Sequence, residues 1–451
     1  MLTIGFIQPS SEYLFDPFRG DPFTHYHILT ILEARFGAQI DARLIDLRGI
    51  KKDFAIYHIP ECDIYLHSVY TLDYDEQLGI INQLRLKHPK SIHIAGGPHV
   101  GSFTNDCLKV FDCLILGEGE EIIVQAVNDY LAQKLQKAYR QSCALDINAY
   151  PFDRRHFLPK NTTTRKNMLT LRKKTDLGDL NGTTANFSRG CPYNCHFCAI
   201  KQVRESFSGI RFRSPQHIEA EIEYLKAEYD IKGLVILDEI CIPLKKSNAV
   251  KHLETIGRTN IIWRGQCRVD GLTPEITKLA RESGCVAMGL GVESVHQLSL
   301  DIINKKIDVE KSKKTIALLK QCDIEARVYM IIGLPGEPED IVEKTWSFIE
   351  ETDPDLVALS LFTIRPGTEI YNYPEKFGIK NITTDWAKTM HMWSRYDSEE
   401  PTMTFEYETQ TPWGKSMTNK QIVTNYLELQ ERLKQRNIGT SYYKKVDLNT
   451  P

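Results

Sequence analysis

Short apolar runs alternate with helix-period segments twice along this chain, and that alternation restricts the fold to parallel sheets wrapped by crossover helices. In the first stretch the candidate strands are Thr3 to Ile7, Asp41 to Ile45, Ile64 to Ser68, Ile92 to Ala95 and Cys113 to Leu116. Between them, Leu78, Ile81 and Leu84 share one helical face. Five strands with intervening helices predict a small doubly wound, Rossmann-like α/β domain over residues 1–133. Residues 134–183 lose the rhythm, are rich in Lys, Arg, Asn, Thr and Asp, and read as a linker or wrapping segment.

From Thr184 the alternation restarts, with strands expected near Thr184 to Phe187, Gly233 to Leu237, Ile261 to Gln266, Val286 to Gly291, Ala326 to Gly333 and Leu356 to Phe362. Ser214-Pro215 and Thr273-Pro274 each offer an N-cap followed by proline at the first helical position, and Gly284 stands where the second of these helices should end. Six such units over residues 184–367 predict a partial (β/α)6 barrel of the TIM type, which places chemistry at the C-terminal strand ends. Residues 368–451 weaken into Trp- and Tyr-bearing segments and one helix from about Asn419 to Arg436, read as a C-terminal extension and substrate cap. Tyr371, Tyr373, Trp386, Trp393 and Tyr396 there are candidates to line a cavity, with plain packing as the alternative.

At 451 residues the chain is long enough for two or three hydrophobic cores. A net charge of -3, with 42% hydrophobic and 25% charged residues, gives no basic excess for a phosphate backbone, so nucleic acid is not an expected partner. Met1 to Ile7 reads as a first strand rather than a targeting leader, and no run of about 18 apolar residues offers a membrane span. A cytoplasmic protein is expected.

Of the eleven cysteines, three fall in Ser188-Arg189-Gly190-Cys191-Pro192-Tyr193-Asn194-Cys195-His196-Phe197-Cys198, a C-x3-C-x2-C loop. Their uneven, odd-numbered distribution argues for a metal centre in a reducing compartment over a disulfide framework. Soft thiolates suit iron-sulfur clusters, and three of them can hold three irons of a 4Fe-4S cube while leaving the fourth open. Zinc would need His196 or a distant residue as fourth ligand, and His196 sits between the cysteines at a spacing unlike the usual zinc pairs. Cys241, Cys267, Cys285 and Cys322 read as core thiols, with a substrate-side role open for Cys241 and Cys267 near strand ends.

This loop, with a strand before it and Phe197 beside its last cysteine, resembles the radical S-adenosylmethionine (SAM) superfamily, and the resemblance covers essentially the whole barrel. It implies that Cys191, Cys195 and Cys198 hold the cluster, that SAM chelates the open iron, and that reductive cleavage of SAM yields a 5'-deoxyadenosyl radical. It also implies that Glu239 or Asp238, in Leu237-Asp238-Glu239, accepts a hydrogen bond from the SAM amine, and that Glu293, in Gly289-Leu290-Gly291-Val292-Glu293-Ser294, lies near the SAM ribose or amino-acid moiety. Arg268 is the expected partner of the SAM carboxylate. Gly333, in Met330-Ile331-Ile332-Gly333-Leu334-Pro335-Gly336-Glu337, is expected to pass close to adenine. The plainer alternatives are a surface acidic pair, an ordinary salt bridge and a strand-ending turn. A flavodoxin- or ferredoxin-type electron donor is the implied protein partner.

The first domain is similar to the cobalamin-binding domain that precedes the barrel in one large subgroup. The residues that carry this are His67-Ser68-Val69-Tyr70, Ala95-Gly96-Gly97-Pro98-His99 and Leu116-Gly117-Glu118-Gly119-Glu120, three turns that converge beyond the carboxyl ends of parallel strands. The resemblance implies Ser68, Gly96, Gly97, Gly117, Glu118 and Gly119 as cobalamin contacts. The Asp-x-His-x-x-Gly element that supplies a histidine to cobalt is missing, and His25 and His27 do not match it. Cobalamin then binds with water or another residue below cobalt, or the domain is a scaffold that shapes the substrate cavity.

The subgroup resemblance implies cobalamin-dependent methylation of an unactivated carbon, or of phosphorus, in a small-molecule, lipid or natural-product substrate. A radical oxidase or cyclase without methyl transfer is the alternative, and a non-catalytic cobalamin- or metal-dependent sensor is a third reading. Methylthiotransferases are disfavoured, because Cys62, Cys107, Cys113 and Cys143 are unevenly placed for a second cluster.

Overall fold

Ile4, Gly5, Phe6 and Ile7 are all buried, so the first strand has neighbours on both faces, as a central strand of a parallel sheet requires. In a computed structural model, which describes residues 1–439 apart from 13, 15, 19, 201–208 and 386–400, it is β1 (Leu2–Gln8). Its sheet also contains β2 (Ile40–Asp46), β3 (Ile64–Ser68), β4 (Ile92–Gly96), β5 (Cys113–Leu116) and β6 (Ala138–Arg140), in the order β2-β1-β3-β4-β5-β6. Every pairing is parallel. The strand order reverses between β1 and β3, the switch point where such sheets open a crevice.

The expected five strands become six because β6 lies inside the segment read as linker. It is three residues long with only Tyr139 buried, too short to show a period. The rest of that segment is a strap across both domains. Arg165 donates to the Phe18 carbonyl at 2.8 Å, and the amides of Arg172, Lys173 and Lys174 converge on the buried Glu325 carboxylate in the barrel.

The second sheet is a curved parallel array of β7 (Gly182–Ala185), β10 (Gly233–Ile236), β11 (Ile262–Cys267), β12 (Cys285–Glu293), β13 (Glu325–Ile332) and β14 (Leu356–Leu361), ordered β14-β13-β12-β11-β10-β7. Between β7 and β10 a small antiparallel ribbon, β8 (Ser188–Gly190) with β9 (Ile210–Phe212), stands outside the main sheet. The first barrel strand therefore ends before the expected Phe187, whose amide is captured by the Asp238 carboxylate at 2.7 Å as the chain turns into the ribbon. Ser214 and Thr273 cap helices Pro215–Tyr229 and Pro274–Glu282 through the amides of His217 and Ile276. Gly284 ends the second turn with φ +98, where a side chain would strike the Ile261 carbonyl.

The C-terminal helix, Asn419–Gln435, starts from a capping box of Thr418 and Gln421. Its apolar face, Ile422, Tyr426, Leu429 and Leu433, is buried against β13, β14 and helix Ile341–Thr352. This differs from the expected cap: the helix is a wall of the barrel. Tyr371 stacks edge-on against Phe103 of the first domain and Tyr373 lies half exposed beneath Lys376, which is packing. Trp386, Trp393 and Tyr396 lie outside the described residues. Among the described residues no helix is long and apolar enough to cross a membrane.

Candidate active site

The cysteine loop leaves β8 and is pinned from outside at several points. His196 N–H donates to the Ile303 carbonyl at 2.9 Å, its Nδ1 meets the Ile302 carbonyl at 2.9 Å, and Asn304 Nδ2 donates to the Asn194 carbonyl at 2.7 Å. His196 thus serves as an anchor for the loop. Cys195 is buried, Cys191 and Cys198 are partly buried, and all eleven cysteines are unpaired. Among the described residues no three His, Cys, Asp or Glu side chains meet tightly enough to hold one metal ion. A cube that gives each thiolate its own iron requires no such convergence. Three thiols on one anchored loop therefore suit the chemistry of a 4Fe-4S donor set.

Arg268, expected to meet the SAM carboxylate, already has several partners within the protein. Its guanidinium is buried, donates to Asp270 at 3.0 Å and to the Lys305 carbonyl at 2.7 Å, and stacks 3.6 Å from the Tyr193 ring centroid. Nη1 lies 3.8 Å from Cys195 Sγ. Those contacts make it a clamp on the cysteine loop, a role its planar fork suits. Glu293 ends β12 in the left-handed region, φ +67, after a register shift, and its Oε1 receives Lys305 Nζ at 2.7 Å. A side chain at Gly291 would collide with this pair. Strained backbone holding a buried charge at a strand end fits a binding role, and Lys305 is the residue that sequence reasoning missed. Only its position in the turn between helices Gln297–Ile302 and Val309–Gln321, in Asn304-Lys305-Lys306, could have signalled it.

The acidic pair divides. Asp238 is buried, with Oδ1 holding the Phe187 amide, and burial pushes its carboxyl up to about 7 despite hydrogen bonds from Ser188 and Phe187. Glu239 is exposed, and both acids line one cavity. Gly333 has φ +94, donates its amide to Glu337 at 2.7 Å, and faces Ile422 where a side chain would go. On that side its close approach is to the C-terminal helix. Cys241, Cys267 and Cys285 are buried in the barrel core, and Cys322 is partly buried.

Ser68, Gly96, Gly97, Gly117, Glu118 and Gly119 all line one cavity of about 300 Å³ at the switch point of the first sheet. Gly97, at φ +102, abuts the Val69 backbone so closely that no other residue fits. Two histidines border the cavity, and both ring nitrogens of each are engaged: His67 with Gln77 and His93, His27 with Asp153 and Glu120. Glu118, expected at cobalamin, lines this cavity and also accepts from Arg189, Arg211 and the Leu145 amide on the barrel side. Burial would raise its pKa, yet those donors hold it below the usual carboxylate range. Arg189 also reaches Glu120 at 2.6 Å, so the strand leading to Cys191 is bound ionically to the crevice.

A second cavity of about 350 Å³ lies between the domains and shares Thr24, His27 and Arg189 with the first. Its barrel wall includes Ser188 to Gly190, Glu221 and Leu237 to Glu239. The crevice of the first sheet and the strand ends of the second therefore face one shared space.

Residues 185–349 match the family model described as the radical SAM superfamily. The anaerobic magnesium-protoporphyrin IX monomethyl ester cyclase of Cereibacter sphaeroides is 27% identical over 63% of this chain and 48% of that protein, so the chain spans about half the length of that relative. The bacteriochlorophyllide d C-8(2)-methyltransferase of Chlorobaculum tepidum is 21% identical over 82% of this chain and 84% of that protein. The solved structure of the radical S-adenosylmethionine methyltransferase TsrM from Kitasatospora setae, with cobalamin and a 4Fe-4S cluster bound, aligns with TM-score 0.64 and 15% identity over 85% of this chain and 81% of that one. Residues 185–349, which include the cysteine loop, thus form a radical SAM domain, and with the Rossmann-like domain ahead of it the chain has the two-domain fold of the TsrM structure.

Proposed function

We propose that this protein is a cobalamin-dependent radical SAM methyltransferase acting on an unactivated carbon or a phosphorus centre of a small-molecule, lipid or natural-product substrate. The observation that carries this is the seating of the three-cysteine loop beside a cavity that continues into the glycine-lined crevice of the first sheet. The methyltransferase names of two of the three relatives above support it. When bound, the cluster supplies the electron that cleaves SAM to a 5'-deoxyadenosyl radical, and cobalamin supplies the methyl group.

The chain's own residues have separable tasks in this reading. Cys191, Cys195 and Cys198 hold the cluster, and Arg268 fixes their loop against Lys305 and Asp270. Glu293 and Lys305 form a buried pair of opposite charges that can exchange its internal contact for the amine and carboxylate of SAM, with Glu239 nearby at the rim. Ser68, Gly96, Gly97, Gly117 and Gly119 shape the floor for cobalamin, while Arg189 and Arg211 draw the barrel onto Glu118 and Glu120. A flavodoxin- or ferredoxin-type protein would deliver electrons.

Anaerobic reconstitution with iron, sulfide and hydroxocobalamin, followed by assay with SAM and dithionite, tests this. Bound cobalamin with formation of 5'-deoxyadenosine and S-adenosylhomocysteine is expected, and Cys191→Ala should lose cluster absorbance and deoxyadenosine together. Deoxyadenosine alone would favour the cyclase or oxidase chemistry that the Cereibacter relative represents; neither product and no cofactor retention would end the catalytic reading.

A further inference from the structure

The interdomain cavity carries an imbalance of charge that the two cofactors leave unused. Three cationic groups border it, and each is already engaged. Arg189 is held by Glu118 and Glu120, His27 by Asp153 and Glu120, and Arg213 donates to the carbonyls of Ile147 and Tyr150. The acids differ. Glu221, on the inward face of helix Pro215–Tyr229, is 96% buried by its 4% exposure, lines the cavity, and makes no hydrogen bond or ion pair with any described residue. Asp238, 2% exposed, takes the Phe187 amide through Oδ1 and has Ser188 beside it on the same wall, so its carboxylate can still accept a bond from the cavity.

A buried carboxyl with no protein donor is costly unless water or a ligand in the adjoining cavity supplies one. Three acceptor groups facing one chamber, with every neighbouring cation committed elsewhere, are complementary to a compact ligand that brings its own N–H donors and positive charge. The chamber has room for more than a water molecule, and it lies between the crevice of the first sheet and the strand ends beside the cysteine loop. That is where a methyl acceptor has to lie if it is to meet both cofactor sites.

Resting on the methyl-transfer reading above, we propose that the substrate carries a protonated amine, and that Glu221, assisted by Asp238 and Ser188, receives this ammonium group in the interdomain cavity. An anionic substrate is selected against by the acids of this wall, and a neutral one leaves Glu221 protonated and forgoes the ion pair. The groups facing Glu221 are Asp153 and Asp238, which raise its pKa, and Arg155 and Arg213, which lower it; burial dominates and pushes the carboxyl up to about 8. An incoming ammonium therefore displaces a proton from this wall at neutral pH.

The test uses the reconstituted holoprotein and the matched probes benzylammonium and benzyl alcohol, followed by titration calorimetry at pH 7 in two buffers of different ionisation enthalpy. Benzylammonium is expected to bind roughly tenfold or more tightly than the alcohol, with proton release to the buffer, and Glu221→Gln should erase both the preference and the release. Equal binding of the two probes overturns the inference, as does ammonium binding without proton release. An undiminished preference in Glu221→Gln does the same. The wild-type comparison decides the matter even where the variant does not fold. Cobalamin retention and deoxyadenosine formation, measured on the same samples, report separately on the methyl-transfer reading, so either idea can fail alone.

Discussion

Burial by itself would strip the proton from His27, yet Asp153 at 2.8 Å and Glu120 at 3.2 Å reverse the outcome and raise its pKa from 6.5 to about 9. Because the folded value exceeds the unfolded one, the stabilisation is fully present below pH 6.5 and is lost as pH rises through 9. Glu337, pushed by burial to about 8, acts in the same direction, since the folded protein keeps a proton that the unfolded chain has released. Unfolding free energy, followed with denaturant on the metal-free protein, should therefore decline from pH 6.5 to 9. His27→Gln should flatten that decline by on the order of 2 kcal/mol, and a pH profile coincident with wild type would remove the role assigned to the two carboxylates. Residues of this kind were invisible in the sequence, where His27 looked like a near miss to a cobalt-ligand element. The cysteine triad was legible because all three donors sit on one loop. Arg268 and Lys305 owe their roles to a contact that spans thirty-seven residues of chain, and no local pattern reports it.

At the level of elements, the strands of both sheets were readable because most are buried on both faces and appear as unbroken apolar runs between turn residues. Boundaries failed where a tertiary contact ended an element, as at Phe187, and short strands failed where too few residues face the core, as in β6 and the β8–β9 ribbon. The link between helix Pro274–Glu282 and β12 shows a boundary set by sterics alone. Gly284 is there at φ +98 with the Ile261 carbonyl occupying the space of a side chain. Gly284→Ala must therefore strain the backbone and move β11 or β12, at a cost of about 2 kcal/mol or more. A melting temperature lowered by several degrees is expected; one within a degree of wild type would mean that the turn relaxes freely.

For the molecule as a whole, the decisive feature is that the two sheets are joined by buried charge as well as by apolar packing. Arg155 in the strap is fully enclosed, donates to Asp21 before the first helix and to Thr183 on β7, and places Nη2 2.5 Å from the Thr184 carbonyl. Arg189 and Arg211 repeat the arrangement with Glu118 and Glu120. Such contacts contribute little net stability when intact, but removing one partner strands the other in a low dielectric. Arg155→Ala should thus cost about 3 to 5 kcal/mol, and the loss should fall on the junction rather than on either core. Scanning calorimetry is expected to show one transition for the wild type and two for the variant, the domains having been released to unfold separately. Asp21→Asn added to Arg155→Ala should restore part of the loss by removing the orphaned charge. If the double variant is no better than the single, the Arg155 side chain acts through packing volume, and the ionic account of how the crevice is held over the cysteine loop has to be given up.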